Sequence, residues 1–319
     1  MKTIHNYLRL VRYPNLLFII LTQYLFHYLM VVPILKNNLS STQLSHFDFA
    51  LLVFSTVLIA AAGYVINDYF DVKMDSINKP RKLFITKSIN RRPAMLAHQI
   101  LNAIAIAIGI YLSWKVGNFN LAFINPIIAA LLWFYSTGYK KQPFIGNFLV
   151  ALLTGMVVLV VIFYEQNLFH PENELQTLAA SAIFIRAFFY FLFAFLVSLI
   201  REIVKDLEDI KGDEMYGCRT LPIVLGIPNT KSIVFVLSTV VMALLGFIEI
   251  KAFESNYFLT IIYLAQTIQF PIIVMLWMLL RADTQKDYNR ISTLVKAIML
   301  MGILTIVYFY FLMNTVLNS

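Results

Sequence analysis

The sequence predicts an all-α integral membrane protein of nine transmembrane helices, and three observations predict it. The 319-residue chain is 60% hydrophobic and only 13% charged, with a mean hydropathy of +0.76. A soluble domain is about 45–50% apolar and about 25% charged. The apolar residues gather in nine separate runs, each near the roughly 20 residues that cross a bilayer core as helix. The basic residues fall almost entirely in alternate connections between those runs.

The expected spans are 14–35, 47–67, 94–114, 119–136, 146–164, 178–203, 229–250, 257–280 and 291–316. The first opens on Pro14, which suits a helix first turn. It runs too long for the apolar core of a signal peptide and is expected to stay in the protein as a helix. Runs this long and this continuously apolar are not the alternating strands of a barrel. Residues 165–177, with Glu165, Glu172 and Glu174 and no basic residue, read as a plain loop between spans. No low-complexity tract or linker divides the chain. It reads as one domain over 1–319, with a possible pseudo-repeat of 1–140 and 141–319.

Nineteen basic residues lie on the side of the N-terminus, and three (Lys36, Lys115 and Lys251) lie on the other. Cytoplasmic loops carry the excess of Lys and Arg, so the N-terminal side is expected to be cytoplasmic. The same bias explains the net charge of +8 without a nucleic-acid partner. A single cysteine, Cys218, excludes an internal disulfide and a cysteine metal site. The five histidines are scattered without ligand spacing. Nothing in the sequence calls for an obligatory protein partner.

Two polar stretches interrupt this pattern. Asn67-Asp68-Tyr69-Phe70-Asp71-Val72-Lys73-Met74-Asp75 ends the second run, followed by Asn78-Lys79-Pro80-Arg81. Arg201-Glu202-Ile203-Val204-Lys205-Asp206-Leu207-Glu208-Asp209 ends the sixth, followed by Asp213 and Arg219. Asp68, Asp71 and Asp75 repeat as Asp206, Asp209 and Asp213, each 138 residues later, and Arg81 repeats as Arg219. Spacing of i, i+3 and i+7 puts each trio on one face if the helix continues. Like charges so close repel, and a hard divalent cation is what oxygen-only clusters hold. Mg²⁺ in particular takes one or two carboxylates plus substrate phosphates and water. Solvated acidic helix ends are the bland alternative, and they leave the repeat unexplained. The nine-span topology puts both stretches on the cytoplasmic side.

Other polar residues admit two readings. Asn15, inside the first span, suits an interhelical hydrogen bond as well as a substrate contact. Lys140 and Lys141 suit interfacial anchors as well as phosphate ligands.

Asn67-x-x-x-Asp71-x-x-x-Asp75 with Asn78-x-Pro80-Arg81 resembles the first aspartate-rich motif of the UbiA superfamily of intramembrane prenyltransferases. Lys205-x-x-x-Asp209-x-x-x-Asp213, with Arg219-Thr220-Leu221-Pro222 and Gly226, resembles the second. Arg12-Tyr13-Pro14-Asn15 and the stretch from Lys140-Lys141 to Gly146-Asn147 resemble the family too, so the likeness covers almost the whole chain. It implies nine helices around a central cavity and Mg²⁺-dependent transfer of a prenyl group from an isoprenoid diphosphate to a lipid-soluble acceptor. It implies that Asn67, Asp71, Asp75, Asp209 and Asp213 hold Mg²⁺–diphosphate, with Asp68 and Asp206 as further ligands or supports. Lys205 and Arg81 would pair with phosphate oxygens.

The chain departs from the family pattern at two places. Arg201 stands where many members have Tyr, and Lys82-Leu83-Phe84-Ile85 stands where many have a Pro-Leu-Pro run and a Gly. The form Arg201-Glu202-Ile203-x-Lys205-Asp206 resembles the ether-lipid branch, which makes digeranylgeranylglyceryl phosphate. Arg201 then reads as a ligand for an acceptor phosphate, or merely as the partner of Glu202 or Glu208. An aromatic acceptor of quinone or haem synthesis is the alternative within the family.

Two other classes fit less well. A cation transporter places its acids near the bilayer midplane, whereas these lie at helix ends. A CDP-alcohol phosphotransferase needs an Asp-Gly…Ala-Arg run that is absent here.

Overall fold

The computed structural model of the protein describes residues 7–37, 41–78, 85 and 89–317. Arg81 and the departure at residues 82–84 lie outside the described residues. Nine helices among the described residues are long and apolar enough to cross a membrane. They are α1 (Tyr13–Asn37), α2 (His46–Asn78), α3 (Arg91–Lys115), α4 (Phe119–Thr137), α5 (Ile145–Phe163), α6 (Glu174–Met215), α7 (Ile227–Glu254), α8 (Phe258–Arg281) and α9 (Gln285–Leu317). All nine expected spans are present, in a multi-pass membrane protein.

The differences lie at the ends. α2 does not stop at 67 but runs to Asn78, and α6 runs to Met215, so both acidic stretches are helical. No proline interrupts either extension; Pro80 lies just past the end of α2. α1 and α8 each contain one wide π turn, at His27–Val31 and Ala265–Gln269. Neither is legible in the hydropathy.

The chain folds as two compact units. The first takes Met1–Tyr139, Met156–Phe191 and Ile306–Ser319; the second takes Lys140–Gly155 and Leu192–Thr305. In the first, α2 packs on α1, α3 and α4. Leu58, Ile59 and Ala105 form one core there, with Leu101, Ile108 and Leu132 against them. Small residues let the backbones close: a Cβ on Gly109 would stand 2.7 Å from Asn125 Nδ2. Buried Asn125 donates to the Ala105 carbonyl at 2.7 Å. Where lipid tails are as apolar as Leu, small residues and buried amides of this kind hold helices together. A second small core joins Leu10, Val65 and Ala94 beside Tyr69 and Val72, at the end of α2 that carries the acidic stretch.

The plain loop expected over 165–177 ends where α6 begins at Glu174, and it is not all exposed. Gln166–Phe169 forms a 3₁₀ turn, and Glu165 is buried, with 1% of its surface exposed. Its Oε2 accepts the Gln43 backbone N–H at 2.7 Å. Its Oε1 stands 3.7 Å from His27 Nδ1, beyond hydrogen-bond reach, and neither atom has a hydrogen-bond partner. Burial raises the Glu165 carboxyl to about 7, against the opposing Gln43 hydrogen bond.

The second unit has one large core built on the apolar face of α6. Leu196, Ile200, Ile203, Val204 and Leu207 pack with Val234, Val241, Ile268, Ile272 and Val295. Gly302 is there because the Phe193 ring occupies the space where a Cβ would stand.

Candidate active site

The first acidic stretch is the polar end of α2. Its side chains divide by face: Asn67, Asp68, Asp71 and Asp75 are half-buried, while Phe70, Lys73 and Ser76 are exposed. The carboxylates therefore share one half-buried side of the helix, as the spacing predicts for a single face. The segment before α1 closes on it. Arg12 Nη2 donates to Asp68 Oδ1 at 2.8 Å, and the guanidinium lies over the Tyr64 ring, 5.0 Å from its centroid. Asn15 Nδ2 donates to the Tyr64 hydroxyl at 3.2 Å. Burial works against the Arg12 charge; Asp68, helped by Tyr64 and Asp75, more than offsets it and leaves the guanidinium's pKa raised.

Asn15 thus makes the interhelical bond that one of its two readings required. Arg91 covers the outer side of the stretch, stacking 4.9 Å over Tyr69.

The second stretch is the polar end of α6. Arg201, Lys205, Asp206, Asp209 and Asp213 are half-buried, and Glu202 and Glu208 are buried. Glu202 takes both neighbouring cations. Arg201 Nη1 donates to its Oε1 at 2.9 Å, and Lys205 Nζ to its Oε2 at 2.8 Å. Of the two carboxylates suggested for Arg201, Glu202 is the partner; Glu208 instead accepts from Asn289 Nδ2 at 2.8 Å.

Asn147, in the first turn of α5, donates to Asp206 Oδ2 at 2.9 Å. The Arg219 backbone N–H donates to the Lys141 carbonyl at 2.8 Å. That bond brings Lys140, Lys141 and Arg219 to the same side of the second unit as Asp213, since Cys218 N in turn donates to the Asp213 carbonyl. Sequence reasoning gave no role to Arg12, Asn147 or Asn289. The first two lie in stretches that resemble the family, each at the start of an apolar span, but nothing there named their partners.

Among the described residues, no three His, Cys, Asp or Glu side chains stand ready to hold a metal unaided. The donors are carboxylate oxygens on both helix ends, with the Asn67 amide on α2, and each end has a cation beside them. That set fits an ion such as Mg²⁺, which brings phosphate and water for its remaining positions and takes few protein ligands. Cys218, buried and the single cysteine, offers nothing to a softer metal at the second stretch.

Comparison with known proteins agrees. The digeranylgeranylglyceryl phosphate synthase of Thermococcus kodakarensis is 31% identical over 268 residues, covering 83% of this chain and 87% of its own. That of Thermococcus sibiricus is 33% identical over 219 residues, 67% of this chain and 71% of its own.

Two solved structures share the fold. A digeranylgeranylglyceryl phosphate synthase matches with a TM-score of 0.61 and 24% identity, over 97% of this chain and 98% of the other. A UbiA homologue from Archaeoglobus fulgidus bound to DMAPP and Mg²⁺ matches with a TM-score of 0.55 and 19% identity, over 93% of this chain and 99% of the other. Residues 38–302 match the UbiA prenyltransferase family, and the chain belongs to that family.

Proposed function

We propose that this protein transfers a geranylgeranyl group from geranylgeranyl diphosphate to the hydroxyl of a prenylated glycerol phosphate. The observation that carries the acceptor class is the identity above 30% with digeranylgeranylglyceryl phosphate synthases over most of the chain. The form of the second stretch supports it: Arg201 adds a permanent cation one turn before Lys205, where a phosphate-bearing acceptor needs one.

In this reading, Asn67, Asp71 and Asp75 of α2 and Asp209 and Asp213 of α6 hold Mg²⁺–diphosphate, with Asp68 and Asp206 beside them. Mg²⁺ held there would neutralise charge on the leaving diphosphate. Lys205, Arg81 and Arg219 pair with phosphate oxygens and stabilise the same charge. Lys140, Lys141 and Arg201 serve the acceptor phosphate, and Asn15 fixes Tyr64 beside the first motif. The allylic C1–O bond breaks with its electron pair going to diphosphate. The acceptor oxygen then bonds to C1 and loses its proton. Asp206, paired with a neutral amide, suits that proton better than Glu202, whose two oxygens hold Arg201 and Lys205 in place beside the phosphates. Apolar helices keep water from the allylic cation. The basic bias supports cytoplasmic placement of the N-terminus and both motifs.

The test supplies purified protein with labelled geranylgeranyl diphosphate and a panel of acceptors. Label should pass to geranylgeranylglyceryl phosphate in preference to hydroxybenzoate or naphthoate. Preference for either aromatic acid overturns the acceptor assignment.

A further inference from the structure

We propose that Arg12 is a positioning residue for the first motif, and that it withdraws Asp68 from the metal-binding set. The inference rests on the diphosphate reading above. Arg12 sits between a short helical turn and α1 with φ 53 and ψ 52, the left-handed region that a side chain other than glycine rarely occupies. Such a backbone is strained and persists where the surroundings over-determine it. Here they do. The Arg12 N–H donates to the Arg9 carbonyl at 3.0 Å, and Asn15 N–H donates to the Arg12 carbonyl at 2.8 Å. The bend delivers the guanidinium to α2, where two residues one turn apart receive it: Tyr64 by its ring face and Asp68 by its carboxylate. Asn15 then holds Tyr64 by its hydroxyl. An incidental surface ion pair has none of this support.

The register of α2 says which acid is claimed. At about 100° per residue, Asn67, Asp71 and Asp75 span an arc of about 80°. Asp68 lies about 20° beyond Asp75, at the edge of that arc. Arg12 therefore neutralises the one carboxylate outside the Asn67–Asp71–Asp75 row. The repulsion inside the trio falls, and the row is left to face the metal-bound diphosphate. The αL bend matters because it fixes the guanidinium before any ligand arrives.

The test is a double-mutant cycle on Mg²⁺-dependent binding of geranylgeranyl thiodiphosphate, which is not turned over, measured by calorimetry on the full chain. Arg12→Gln and Asp68→Asn should each weaken binding about 10-fold, and the double variant no more than about 10-fold, because both remove one interaction. Arg12→Lys should keep most of the affinity, because an ammonium can make the single hydrogen bond that Arg12 Nη2 makes to Asp68. Losses that multiply to about 100-fold, or an Asp68→Asn loss with Arg12→Gln unaffected, make Asp68 a ligand in its own right and overturn the proposal. Lower melting temperatures with unchanged analogue affinity also overturn it, since they mark a structural role alone. If the wild type binds no analogue in Mg²⁺, the diphosphate reading fails, and this proposal with it.

Discussion

Replacing Glu165 by Gln should change how stability depends on pH. Glu165 is buried, makes one hydrogen bond to the Gln43 N–H, and leaves Oε1 without a hydrogen-bond partner. Its carboxyl is raised from 4.5 to about 7 by burial. A carboxyl raised in the folded state carries no penalty below its unfolded value. The penalty grows as pH rises from about 4.5 to about 7 and is constant above. At about 1.4 kcal/mol for each pH step of one, folding loses about 3 kcal/mol across that interval. Gln keeps an oxygen for the Gln43 N–H and cannot ionise.

The difference in unfolding free energy between variant and wild type should therefore move by about 3 kcal/mol in favour of Gln between pH 4.5 and pH 8. Thermal or denaturant unfolding in one detergent at both pH values reads it. Parallel pH profiles for the two proteins would refute the burial argument.

Four further outcomes are expected. Asp71→Ala and Asp209→Ala should each lower turnover at least about 10-fold, or about 1.4 kcal/mol, while melting temperature holds, since both lie at polar helix ends. Excess EDTA should abolish turnover and added Mg²⁺ restore it; full activity in EDTA would remove the metal from the mechanism. Asn147→Leu leaves Asp206 without its amide and should cost about 1–3 kcal/mol of transition-state stabilisation, read as kcat/KM; an unchanged kcat/KM makes the Asn147–Asp206 bond incidental. Single cysteines in 67–78 and 201–219, in a Cys218→Ser background, should both resist an impermeant maleimide outside intact cells; labelling of either breaks the shared-face topology.

Local pattern carried much of the fold. Nine spans follow from hydropathy alone, and the sharing of one face by each carboxylate trio of α2 and α6 follows from spacing. What escaped was set by contacts between residues far apart in sequence. Glu165 looked like an ordinary loop acid because nothing local reveals that Gln43, 122 residues earlier, bonds to it. The Arg12–Asp68 pair, 56 residues apart, and the Asn147–Asp206 pair, 59 apart, are invisible to periodicity for the same reason. Glu202 was considered for Arg201 but not for Lys205; one carboxylate holding both cations needed coordinates.

The length of α2 ties the chemistry to the bilayer itself. Its 33 residues make about 50 Å of helix, whereas the hydrocarbon core is about 30 Å thick. Counted from His46, the core is used up near Ile66, the last fully buried apolar residue before Asn67. From Asn67 to Asp75 the helix then climbs about 12 Å through the headgroup layer. With the core counted so, the amide of the motif stands near the oil–water boundary and its last carboxylate about 12 Å farther out. If a diphosphate is held along the motif as proposed, its allylic carbon stays at the edge of the oil. Lipids with longer or shorter chains shift that boundary along the helix, at a cost of fractions of a kcal/mol per Å. Under the proposed function, membrane thickness is then a substrate-positioning variable, and the surrounding lipids set how deep the reacting carbon lies.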